Sequence, residues 1–212
     1  MTWSCHYSLF TQGSRGLNIC DIDNMIEATL SFDLTLWWIV GCKVQAFDPS
    51  NEVKRPENSY HPNIHYYPIG IGIAHFKGNK ISDAARKKAG NADQIIVQTL
   101  QEILEEYKDF EKPITYLKMD VEGEELYLLE NWIETGVLNN VQQFGVEFHL
   151  SHLVVKNQVN HWFGKMIRYI QKLSKNYGLQ LVESEPNRCV GKKEDGLRVY
   201  YAFNDVLFVK SQ

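Results

Sequence analysis

The chain predicts an α/β fold, a doubly wound and mostly parallel sheet with an antiparallel C-terminal edge strand. Two observations carry this. From residue 40 onward, short apolar runs bounded by turn residues alternate with longer segments whose apolar residues recur at helical spacing. Strands separated by helices of that length are joined by right-handed crossovers and lie parallel. The last two apolar runs, 178–186 and 197–210, have only a polar loop between them. They are therefore expected to pair antiparallel at the edge.

The elements follow in order. CKVQAFD (42–48) reads as a buried strand that ends in Asp48 and a Pro49 turn. NIHYYPIGIGI (63–73) holds a short strand and then a glycine-broken loop. NADQIIVQTLQEILEEYKDF (91–110) reads as an amphipathic helix, with Ile96, Leu100, Ile103, Leu104 and Tyr107 on one face and Asp93 in the first turn. Pro113 separates it from the strand ITYLKMDV (114–121). A helix over roughly 124–134 turns Leu126, Leu129, Trp132 and Ile133 inward and stops at Gly136. VQQFGVEFHL (141–150) is a strand. The helix 160–178 places Trp162, Met166, Ile167, Ile170 and Leu173 on its apolar side and stops at Gly178.

Composition narrows the function classes. The 212 residues suit one domain, and a 44% apolar share allows a sizeable core. A net charge of −4 leaves no electrostatic footprint for nucleic acid, and Arg86, Lys87 and Lys88 read as a solvated helix face. Cys5, Cys20, Cys42 and Cys189 lie far apart without a CxxC pair, which argues against a zinc site. The first sixteen residues lack the basic region and apolar core of a signal peptide, and LTLWWIV (34–40) is too short to span a bilayer. A soluble chain with no membrane span is expected, beginning in a segment that reads as incomplete.

The chemistry should gather where strands end, because ligands of such sheets bind beyond the carboxyl ends. In YLKMDVEGEE (116–125) an apolar run stops in Asp120, Glu122, Glu124 and Glu125 around Gly123. Glu124 and Glu125 suit the first turn of the following helix, whose dipole favours negative charge. Asp120 still lies inside the apolar run, so with Glu122 it could orient a cofactor, act as a base or hold a cation. Asp48 could accept hydrogen bonds from both hydroxyls of a ribose, or simply form an Asx turn before Pro49. Glu147 and His149 alternate with apolar neighbours and share one side of their strand. They could be a satisfied structural pair or, with Asp120, a carboxylate–imidazole cluster for proton transfer or metal binding. His61, His65 and His75 lie near a loop and are weak ligand candidates.

SFDLTLWWIVGCKVQAFDPS (31–50), YYPIGI (66–71), QTLQEIL (98–104), YLKMDVEGEE and QFGVEFHL (143–150), with the closing DVLFV (205–209), together resemble the FkbM-type methyltransferases. The resemblance runs from about residue 31 to the end. It implies a Rossmann-like fold that binds S-adenosylmethionine and transfers its methyl group to oxygen on a small-molecule or glycan-like acceptor. It implies cofactor contacts from Asp48, Asp120 and Glu122, and catalytic roles for His149, Glu147 and Asp120, with His149 as the general base. No metal is expected.

The family opens with a strand running into a glycine-rich turn, a role that falls here on NICDIDNMIEATL (18–30), which has no glycine. LNICDI could still form the first strand, with its turn at Asp23–Asn24, since Gly13 and Gly16 lie too far upstream to substitute. Residues 1–30 are accordingly expected to be an irregular segment holding at most an incomplete first strand, and 31–212 the methyltransferase-like domain. This departure leaves a second reading open, a catalytically inactive domain with a degenerate cofactor loop acting as a binding module. A nicotinamide-dependent dehydrogenase is a third, weakened by the absence of GxGxxG.

Overall fold

The computed structural model describes residues 6–11, 43–47, 64–67, 69–78, 95–106, 113–121, 123–149, 159–186, 192–195, 198–201 and 203–211. The main sheet contains β1 (His6–Thr11), β2 (Lys43–Phe47), β3 (Ile64–Tyr67), β7 (Tyr116–Asp120), β8 (Gln143–His149), β9 (Leu179–Pro186) and β12 (Phe203–Lys210). Their spatial order is β3-β2-β1-β7-β8-β12-β9. Pairings from β3 through β8 are parallel, whereas β12 is antiparallel to both β8 and β9, so the sheet is mixed.

Three expectations are corrected here. The antiparallel C-terminal strand is not at the edge: β12 is inserted between β8 and β9, and β9 takes the edge. The absence of a helix between two strands predicts their antiparallel pairing, but not that the returning strand also fills the open side of β8. The first strand among the described residues is HYSLFT, within a segment expected to be irregular. It lies centrally, bonded to β2 and β7. LNICDI, residues 17–22, falls outside the described residues. The segment 91–110 is not one helix: Ile95–Gln98 is strand β6, and helix α1 is Leu100–Glu106.

In that third case the β-branched Ile95, Ile96 and Val97 favour an extended chain. They pair with β4 (Ile69–Ile71) and β5 (Phe76–Gly78) in a second, three-stranded mixed sheet. A capping box then starts α1. The Thr99 amide donates to Glu102 Oε2 at 2.8 Å, and the Glu102 amide donates to Thr99 Oγ1 at 3.2 Å. Helices α2 (Glu125–Thr135) and α3 (Val159–Tyr177) end as expected, at Gly136 (φ 76°) and Gly178 (φ 69°). A hairpin of β10 (Lys192–Asp195) and β11 (Arg198–Tyr201) occupies the polar loop before β12.

The core lies on one face of β7 and β8. Leu117, Met119, Phe144, Val146 and Phe148 are buried there with Phe208 of β12. Phe144 stacks on Phe208 and meets Trp132 of α2, with centroid separations of 5.9 Å in both cases. The Tyr177 hydroxyl of α3 donates to the Ile133 carbonyl of α2 at 2.7 Å, so the two helices cover that face together. Ile167 departs from the expected apolar side of α3 and is exposed. No helix among the described residues is long and apolar enough to cross a membrane.

Candidate active site

The opposite face of the same strands carries Tyr116, Lys118 and Asp120 on β7 and Gly145, Glu147 and His149 on β8, because alternate residues face opposite ways. A Cβ at Gly145 would meet the Tyr116 hydroxyl and ring, so that side chain would have to shift for any larger residue. Asp120 closes β7 beside Thr11, the last residue of β1. Glu147 is paired with Asp205 of β12. Asp120, Glu147 and His149, foreseen from spacing, are therefore gathered at one end of the sheet, all buried. Asp48 and Glu122 lie outside the described residues. So does His61, while His65 is exposed and His75 lies beside Glu102 at 3.4 Å.

Beyond Asp120 the chain turns at Gly123, whose φ of 115° is open to glycine and strained for other residues. Glu124 is exposed at the N-cap of α2 and makes no side-chain cap bond. Glu125 is in the first turn of α2, as the sequence reading has it, but its carboxylate is also buried and bonded elsewhere. It is 2% exposed. Its Oε1 accepts from the Gly123 amide at 2.9 Å and the Val121 amide at 3.3 Å, and its Oε2 accepts from the His149 amide at 3.4 Å. The His149 ring Nδ1 lies 2.6 Å from the same Oε1.

One carboxylate thus ties the turn after β7 to the end of β8. Helical spacing held the missed signal, since Glu125, Leu128, Leu129 and Trp132 follow i, i+3, i+4, i+7 and are all buried. A carboxylate on the apolar stripe of a helix needs partners.

His149 Nε2 lies 3.7 Å from Asp120 Oδ1, beyond direct hydrogen-bond reach. Burial pushes the Glu147 carboxyl up to about 7, helped by the charges of Asp120 and Asp205 and opposed by His149 and Lys118. Asp120, Glu125 and His149 bring ligand-type atoms within 4.8 Å of one another, a spacing that could suit a metal ion. Glu125 argues against an ion, because its oxygens already serve three backbone amides and the His149 ring. With Glu125 so engaged, this set offers an ion only Asp120 and one ring nitrogen.

The spatial order reverses at β1, which has β2 and β3 on one side and β7 and β8 on the other. A crevice outside the carboxyl ends of β1 and β7 is where an open α/β sheet binds its ligand. The methyltransferase FkbM domain family matches residues 40–179, a span that includes Asp120, Glu125, Glu147 and His149. The chain belongs to the FkbM methyltransferase family. It is a methyltransferase domain by family, and the cofactor is S-adenosylmethionine.

The donor set fits that cofactor. A buried carboxylate at the end of β7, beside the end of β1 at the switch point, can accept hydrogen bonds from its polar groups. None of the curated proteins matches the chain.

Among solved structures, a Streptococcus pneumoniae protein described as a tRNA (m1A22) methyltransferase, in complex with S-adenosyl-L-methionine, is 11% identical with a TM-score of 0.37. The alignment covers 98% of this chain and 66% of that one. The Methanococcus jannaschii fibrillarin pre-rRNA processing protein is 6% identical with a TM-score of 0.42, at the same two coverages of 98% and 66%. The delta-N METTL16 methyltransferase domain is 10% identical with a TM-score of 0.36, covering 97% of this chain and 73% of that one. The chain thus spans about two thirds of the length of the first two proteins. Likenesses this low carry nothing about substrate or site.

Proposed function

We propose that the chain methylates an oxygen of a small-molecule or glycan-like acceptor, with the buried cluster of Asp120, Glu147 and His149 as its proton-handling site. The observation that carries this reading is the gathering of those side chains at the carboxyl end of β7 and β8, within the family-matched span. When bound, S-adenosylmethionine supplies an electrophilic methyl group on a sulfonium. Asp120 and Glu122 hold the cofactor, and Asp48 its ribose. His149 Nε2 takes the acceptor's hydroxyl proton as the oxygen–methyl bond forms and the sulfur–methyl bond breaks, leaving S-adenosylhomocysteine.

Glu147, with its raised affinity for a proton, stands next to that base. The net charge of −4 supports an acceptor other than a polyanion. In this reading the main sheet is the doubly wound sheet of the family, with α2 and α3 on its apolar face.

The inactive alternative rested on a missing glycine turn. With β1 at His6–Thr11, Gly13 and Gly16 come two and five residues after the strand in chain order, which favours an active domain. Calorimetric titration with S-adenosylhomocysteine tests the proposal. Wild type should bind, and Asp120→Asn should weaken binding by about 1.5–3 kcal/mol, the usual worth of a hydrogen bond to a charged group. Absence of binding by wild type to both S-adenosylmethionine and S-adenosylhomocysteine would sink the reading.

A further inference from the structure

We propose that Glu125 is the positioning residue for His149, holding its imidazole with the proton on Nδ1 and turning Nε2 toward Asp120. The catalytic consequence rests on the methyl-transfer reading above; the positioning itself does not. An ionised carboxylate can only accept hydrogen bonds. Glu125 accepts from the amides of Val121, Gly123 and His149, so it is placed as an acceptor on every side the backbone shows. The ring nitrogen 2.6 Å from Oε1 is then the donor, which leaves the lone pair of a neutral ring on Nε2.

Because the same carboxylate also holds the His149 amide, ring and strand end are fixed together. Side-chain exposures of 2% for Glu125 and 7% for His149 keep solvent from screening the pair. A base oriented from behind by a buried carboxylate is the arrangement that selects a tautomer in catalytic triads. Among the described residues, the charged groups facing the ring are Glu125 from α2, Asp120 from β7 and Glu147 from its own strand. Lys118 and Asp205 act one step further away, through Glu147.

The test is long-range 15N–1H NMR on histidine-labelled protein, with the His149 ring assigned by its loss in His149→Gln. The neutral ring should carry its proton on Nδ1. In Glu125→Gln its titration midpoint should fall by roughly one pH unit, because an anion within hydrogen-bond reach favours the imidazolium. A purely structural Glu125 would not move that midpoint. A neutral wild-type ring protonated on Nε2 overturns the proposal, as does an unmoved midpoint in folded Glu125→Gln. If that variant does not fold, the wild-type tautomer alone decides. S-adenosylhomocysteine titration of the same wild-type sample separates the two readings. An Nδ1-protonated ring without binding removes the methyltransferase and keeps the role of Glu125, whereas binding with an Nε2-protonated ring does the reverse.

Discussion

The two faces of β7 and β8 are built from alternating residues of the same short segments, yet they do opposite work. One face is Leu117, Met119, Phe144, Val146 and Phe148, buried against Trp132 and Phe208. The other is Tyr116, Lys118, Asp120, Gly145, Glu147 and His149. The first gains from leaving water. The second buries charge, which costs free energy unless each group finds a partner. Glu125 and His149 meet that demand for each other, and Asp120 and Glu147 stand close enough to repel. Stability should therefore reside on the first face and ligand response on the second.

The largest break in that contrast should come from Phe144→Ala. Loss of the ring between Trp132 and Phe208 should cost about 3–5 kcal/mol in urea denaturation. The affinity of the remaining folded protein for S-adenosylhomocysteine should stay unchanged. An affinity loss as large as the stability loss would erase the division between the faces.

Gly145→Ala tests a position where the polar face serves packing. Its added methyl meets the Tyr116 hydroxyl and should cost about 1–3 kcal/mol. Only part of that should return in a Tyr116→Phe background, because the ring carbon Cζ would still lie 2.9 Å from the added Cβ, and a penalty indifferent to Tyr116 would place the strain elsewhere.

Glu147 sharpens the contrast through pH. Its folded pKa of about 7 stands above the ordinary 4.5, so between those values the folded state holds more protons than the unfolded chain. Stability should therefore fall as pH rises across that window, by linkage. Glu147→Gln should flatten that part of the profile, and a variant that keeps the full slope would assign the proton to another group.

The smallest effect belongs to Glu124. It is exposed and caps nothing with its side chain, so Glu124→Gln should stay within about 0.5 kcal/mol of wild type in thermal melts. Its neighbour should not. Glu125→Leu, which strands four donors, should destabilise clearly more, and equal melting of the two variants would contradict the buried hydrogen bonds.

Much of this was legible in the chain itself. Period-two alternation placed Glu147 and His149 on one side of β8, and the position of Asp120 inside an apolar run marked it as buried. Both are properties of a few neighbouring residues, and short-range sterics decide them. Thr99 and Glu102 also carried a readable capping box, but the apolar spacing across 91–110 masked the strand before it.

What only the tertiary structure decided depends on which distant segments meet. HYSLFT becomes a central strand because β2 and β7 both have an edge to offer it, a fact absent from its own six residues. β12 enters beside β8 rather than closing the edge for a similar reason. The first-turn place of Glu125 is a local matter of the helix dipole, whereas its partner His149 lies 24 residues further along the chain. Residue types and spacing determined which side chains could do chemistry. Long-range strand pairing and the closure of the β7–α2 turn onto β8 determined which of them touch.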